Sequence, residues 1–184
     1  MLCTFLTTRQ QYQTCQVLLP GDEKPMGAIY LNDRLYGFYR QIAKAGQLLK
    51  FMLKMRARLK AAAEVMVTQT PKGYFLWLWE PDVSIVGKTP SQPQDTPPAH
   101  FYLLEAAKTG FCQIRVPDLE QELIAVAIGE QYYSLFKLEA DTVAVMEIIA
   151  KLTRRGDELA IALTRGGYAI CVLEPDARLM QRRA

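Results

Sequence analysis

The chain carries one pattern twice. The run Cys15-Gln16-Val17-Leu18-Leu19-Pro20 lies over Cys112-Gln113-Ile114-Arg115-Val116-Pro117 at an offset of 97 residues. The same offset holds without gaps through Ala28-Ile29 over Ala125-Val126, Tyr36 over Tyr133, and Tyr39-Arg40 over Phe136-Lys137. Further on, Thr70 to Asp82 matches Thr164 to Asp176 at an offset of 94, with six identities in thirteen positions. Chance would give about one at average residue usage. A fixed internal period is the mark of a structural unit used more than once, so the offset decides how the rest of the chain is read. The change from 97 to 94 removes three residues from the second copy, somewhere in the helix between the matched blocks, where a helix end tolerates it best.

Between the copies lies Thr89-Pro90-Ser91-Gln92-Pro93-Gln94-Asp95-Thr96-Pro97-Pro98, polar and crowded with residues that cannot donate to a β-ladder. This divides the chain into a first repeat at 1–88, a Pro-rich linker at 89–99 and a second repeat at 100–184. In the first repeat, Leu2 to Thr8 and Gln13 to Leu19 read as strands around a polar turn, and Ala28 to Leu31 and Leu35 to Arg40 flank the turn pair Asn32-Asp33. A helix is expected from about Gln41 to Ala63, with Leu48, Met52, Met55, Leu59 and Ala62 in one apolar stripe. Val65-Met66-Val67 and Tyr74 to Trp79 then form a closing hairpin that Pro81 ends.

The second repeat follows the same order, with strands at 101–104, 111–116, 123–128, 132–138, 159–163 and 168–173 and a helix from about Ala140 to Thr153. The expected fold is therefore α+β: two tandem ββββαββ repeats with internal pseudo-two-fold symmetry, their antiparallel sheets each covered by one helix. One helix per sheet leaves a face bare, so the repeats are expected to share a core and form one compact domain.

Half of the residues are apolar, enough for a sizeable core, and a formal net charge of +3 confines any electrostatic attraction to local clusters. Cys3, Cys15, Cys112 and Cys171 are too scattered for a zinc ribbon or a redox pair, and read as small buried hydrophobes in a reducing compartment. With no charged leader and no long apolar run, the chain is expected to be soluble and cytoplasmic. No phosphate-loop, dinucleotide or zinc-protease motif occurs, and the single histidine, His100, stands at the linker edge. The repeated Glu80-Pro81-Asp82 and Glu174-Pro175-Asp176 read as strand terminators carrying solvated acids. No catalytic residue, metal or cofactor is expected.

Comparing the repeats with each other locates where they have diverged. From Arg40 to Lys60 stand seven cations, Arg40, Lys44, Lys50, Lys54, Arg56, Arg58 and Lys60, with no acid among them. The matching stretch from Lys137 to Glu158 mixes both signs. Like charges at helical spacing cost a few tenths of a kcal/mol per pair, which a partner of opposite charge would offset. The last strand places Phe75, Trp77 and Trp79 on one face where the second repeat has Ala169, Cys171 and Leu173. Those aromatics are expected either to complement the small residues across the pseudo-dyad or to form an exposed stacking or interface cluster.

The function these patterns suggest is a non-enzymatic binding or adaptor protein that presents its basic helix flank to an acidic protein surface. The alternatives are single-stranded nucleic-acid binding through the helix and the aromatic face, and small-ligand sensing in a cleft between the repeats. Four strands followed by a helix, given twice, resembles by strand order alone the Whirly and PUR-type folds, from which the extra hairpin after each helix departs.

Overall fold

Alternating burial along Leu2–Leu6 is the simplest local pattern in the chain: Cys3 and Phe5 face one way into a core while Thr4 faces the other. A computed structural model describes residues 1–56, 64–91, 99–105, 110–117, 119 and 121–180. It contains 14 strands and two α-helices among those residues, an α+β fold that is mostly sheet. The chain divides into two units, Met1–His100 and Phe101–Ala184.

In the first unit the strands are β1 (Leu2–Leu6), β2 (Gln13–Leu18), β3 (Met26–Leu31), β4 (Arg34–Ile42), β5 (Val65–Thr70), β6 (Gly73–Trp79) and β7 (Ser84–Val86), with helix α1 (Ala45–Arg56) between β4 and β5. Their order across the sheet is β1-β5-β6-β4-β3-β2-β7. The second unit has β8 (Ala99–Glu105, whose first two residues are the last of the first unit), β9 (Phe111–Arg115), β10 (Glu122–Ile128), β11 (Gln131–Glu139), β12 (Leu159–Thr164), β13 (Gly167–Leu173) and β14 (Arg178–Leu179), with α2 (Thr142–Thr153) between β11 and β12. Its order is β8-β12-β13-β11-β10-β9-β14.

The expected strands are present, with three corrections. First, the sheets are not wholly antiparallel: β1 runs parallel to β5, and β8 parallel to β12. The polar turn after β1 contains a short 3-10 helix, Arg9–Gln11, and β2 pairs with β3 and β7 rather than folding back on β1. Thus β1 and β2, consecutive in the chain, are not neighbours in the sheet. Second, each Glu-Pro-Asp does more than stop a strand. The amide of Glu80 donates to the Leu35 carbonyl at 2.9 Å, and that of Glu174 to the Tyr132 carbonyl at 2.8 Å. The turn that follows leads into β7 or β14, which cover the outer edges of β2 and β9. Third, α1 begins at Ala45 because β4 continues to Ile42. Leu59 and Ala62, the far end of the expected stripe, lie outside the described residues.

Within α1, Leu48, Leu49, Met52, Leu53 and Met55 are buried. The helix packs on β4 and β6, and each such side chain contributes about 1.5–3 kcal/mol toward the cost of ordering the chain. On the other face of the first sheet a second cluster joins Leu6, Tyr12, Ile29, Leu31, Tyr36, Met66 and Trp77. In the second unit the corresponding cluster is Leu104, Val126, Tyr133, Ala160, Ala162, Ala169 and Cys171.

The sequence identities at Thr70, Gly73 and Tyr74 have a structural cause. Thr70 Oγ1 donates to the Gly73 carbonyl at 3.2 Å and accepts from the Lys72 amide, and Thr164 does the same with Gly167 and Gly166. Gly73 has φ +108°, and a Cβ there would lie 2.6 Å from the Ile42 carbonyl oxygen; Gly167 has φ +128° and the same 2.6 Å approach to Glu139. Only glycine fits both demands.

Candidate functional site

Strict alternation along β4 would put Tyr36, Phe38 and Arg40 on one face. A bulge prevents it. Phe38 stands opposite Trp77 and Arg40 opposite Leu76, so Tyr39 is the extra residue. Arg40 is thereby carried to the helix side of the sheet, where its guanidinium lies 5.0 Å from the Phe51 ring centroid. The Tyr39 ring meets the same Phe51 at 6.2 Å. Tyr39 is half exposed, so this basic and aromatic corner is open to solvent.

Lys44, Lys50 and Lys54 are exposed around it, and none of the three has an ion-pair partner among the described residues. Lys54 follows Phe51 by three positions and so stands beside it on the helix surface. The other expected cations divide. Arg56 is half-buried, with its Nη1 enclosed and without a hydrogen-bond partner among the described residues. Its charge, after desolvation, is the next cause holding the Met1 amine below its usual range. Arg58 and Lys60 lie outside the described residues.

The buried positions of the two helices match at an offset of 97, Leu48, Leu49, Met52, Leu53 and Met55 against Val145, Met146, Ile149, Ala150 and Leu152. The offset of 97 therefore holds through the described part of α1, and the offset of 94 is in place by β5 and β12. At the exposed positions of this frame Lys44 stands where the second unit has Asp141, and Lys50 where it has Glu147. Asp141 caps α2, accepting from the Val143 amide at 3.0 Å. Lys44 has no side-chain acceptor to offer and sets a cation at the positive end of the helix dipole. Loss of such a cap costs about 0.5–2 kcal/mol.

The aromatic face departs from an open platform. Trp77 is 7 % exposed, and its indole N–H donates to Thr68 Oγ1 at 3.1 Å in the interior. Phe75 is partly buried, with its ring 6.2 Å from Trp77, and Phe38 packs edge-on against both. Only Trp79 is exposed, and the Arg34 guanidinium sits 5.2 Å from its ring. Trp77 stands opposite Met66 and shares a buried cluster with it and Leu6, which encloses the ring. The small residues Ala169 and Cys171 lie in the second unit's own cluster.

One constellation had no sequence motif to announce it. Arg34 Nη1 forms an ion pair with Glu64 Oε1 at 2.5 Å, and Tyr36 donates its hydroxyl hydrogen to Glu64 Oε2 at 3.1 Å. The Arg34 hydrogen bond holds the Glu64 carboxyl below the usual carboxylate range, while burial, then the Glu64 charge, pushes the Tyr36 phenol up to about 12. His100, expected at an unstructured linker edge, instead sits in β8 with its Nδ1 3.1 Å from Thr4 Oγ1. Thirty residues of chain separate Arg34 from Glu64, so only the fold brings them together.

Among the described residues no group of acids, histidines and cysteines is placed to hold a metal ion, and no helix is long and apolar enough to cross a membrane. The sequence matches no family model, and comparison with curated proteins and with solved structures found no match.

Proposed function

We propose that the protein is a non-enzymatic, cytoplasmic binding or adaptor protein whose first unit engages an acidic protein surface. Arg40, Lys44, Lys50 and Lys54 form the contact, with Tyr39 and Phe51 as its apolar anchors. The observation that carries this reading is the contrast between two helices whose buried positions match residue for residue from Leu48 to Met55. One has a capping aspartate and a glutamate where the other has two exposed lysines, one of them at a cap where it destabilises. A cost of that kind is retained when the free protein is not the state that matters. A tandem duplication accounts for the frame of the comparison: equal strand order, bulges at Tyr39 and Phe136, and the same strained glycine in each unit.

Single-stranded nucleic acid is the second reading, and it now rests on Tyr39, Arg40 and Phe51, where a ring and cations are open together. One experiment separates the two. Lys44→Asp, Lys50→Glu and Lys54→Glu together give the first helix the charges tolerated in the second at two of the three sites. The variant is expected to melt with or above the parent and to lose the acidic proteins that the parent retains at low salt. Unchanged retention of those proteins defeats the proposal. Salt-dependent retention of the parent on a single-stranded oligonucleotide, with no acidic protein captured, replaces it with the second reading.

A further inference from the structure

Beside Tyr36 the first unit has an open-mouthed pocket of about 330 Å³, with Asn32, Arg34 and His100 exposed at its rim. Leu2 and Leu31 supply its apolar lining, and Thr4, Asn32, Arg34, Tyr36, Glu64 and His100 its polar one. All belong to the first unit. The ladders show why the space is there. Thr4 pairs with Met66 across β1 and β5, and Tyr102 with Ala160 across β8 and β12, so Thr4 and Tyr102 occupy matching places. Tyr36 and Tyr133 match likewise, each opposite the last residue of the central strand, Trp79 or Leu173. In the second unit the Tyr102 ring meets the Tyr133 ring edge-on at 6.0 Å. Threonine has no ring, and the place beside Tyr36 is left open.

The hydrogen-bonding edge differs in the same sense. Where the first unit has Arg34 and Asn32, the second has Gln131, which accepts from the Tyr133 hydroxyl at 3.1 Å, and Gly129. One unit has filled its corner with its own side chains, and the other has kept volume and added donors. Glu64 spends one lone pair on each oxygen, toward Arg34 and Tyr36, and a carboxylate oxygen has a second. A dry cavity of about 150 Å³ takes a single benzene ring, so this one has room for two fused rings, and it lies at the lower end of the sizes that bind small molecules.

We infer that this pocket is a binding site for a planar nitrogen heterobicycle of the oxo-purine type, its ring beside Tyr36 in the place that Tyr102 fills in the second unit. The adjacent N–H groups of such a ring pair with Glu64, and its carbonyl accepts from Arg34 or Asn32. The inference does not depend on the basic flank of α1, which belongs to another part of the unit.

Trp79 reports on the site, because Arg34 lies over its ring and the other tryptophan, Trp77, is buried. Guanosine added to the full chain is expected to change tryptophan emission saturably, and p-cresol, a ring without the N–H edge, to do so at least ten-fold more weakly. Thr4→Tyr, which copies the second unit, is expected to keep the circular dichroism and melting of the parent and to weaken guanosine at least ten-fold. Glu64→Gln, which keeps the shape and removes the paired acceptor, should weaken guanosine and leave the p-cresol response alone; it serves as the test should Thr4→Tyr fail to fold. Absence of saturable guanosine binding, an equal response to p-cresol, or undiminished binding by the folded variants overturns the inference.

Discussion

Replacing Thr68 by valine changes one atom group in the interior of the first unit and tests how that interior is held. Thr68 is fully buried, and its Oγ1 is the acceptor for the Trp77 indole N–H at 3.1 Å. The two lie on neighbouring strands, with Met66 opposite Trp77 and Thr68 opposite Phe75, so they are diagonal neighbours on one face. Thr68→Val preserves shape and removes the acceptor, leaving a donor among Leu6, Met66 and Ile29 without a partner. An unsatisfied buried donor costs about 1–3 kcal/mol, or roughly a 5- to 150-fold shift of the unfolding equilibrium. Trp77→Phe removes the donor together with part of a ring, and in that background Thr68→Val should cost about 1 kcal/mol less, the coupling a double-mutant cycle reads. Urea unfolding followed by tryptophan emission is the assay. Both tryptophans, Trp77 and Trp79, lie in the first unit, so the signal reports that unit, and Trp79 remains as the probe when Trp77 is replaced. A loss below about 0.5 kcal/mol for Thr68→Val, or a coupling indistinguishable from zero, would refute the reasoning, since surface substitutions give as much.

Two further outcomes follow from the backbone and the thiols. Gly73→Ala forces a Cβ to 2.6 Å from a carbonyl oxygen at φ +108°, and should destabilise by at least about 2 kcal/mol, whereas Gly27→Ala, with open space and no positive φ, should be neutral or slightly stabilising; thermal melts of the pair check this, and equal shifts contradict it. Burial pushes the Cys3 and Cys171 thiols up to about 12, while Cys15 and Cys112 are partly exposed. Iodoacetamide at neutral pH should therefore modify Cys15 and Cys112 in the native protein and reach Cys3 and Cys171 only after unfolding, because the thiolate is the reacting form; peptide mapping that finds Cys3 modified first would contradict the burial.

The strands and helices were readable because each copy of the pattern carries the other's punctuation. Thr70 and Gly73 recur as Thr164 and Gly167 since a hydroxyl must bond the turn and only glycine clears the end of β4. The first three residues of the expected α1 stripe, Leu48, Met52 and Met55, are buried as their spacing requires. Partner strands were less readable: nothing local tells β1 to leave β2 and run parallel to β5, a choice made by where the α1 crossover returns the chain.

Side-chain direction at the candidate sites shows the division most sharply. Residue order fixes that Arg40, Lys44, Lys50 and Lys54 stand without acids among them, and that Phe75, Trp77 and Trp79 share a face. It does not say that one extra residue at Tyr39 turns Arg40 onto Phe51, nor that Trp77 is enclosed and Trp79 left out. Bulges and burial depend on what the neighbouring strand supplies, and Arg34 meets Glu64 only because β4 and the entry to β5 flank the same corner. Local chemistry determined the pieces and their periods. Which side chains became neighbours, and so which could bind anything, was decided by contacts distant in sequence that no period encodes.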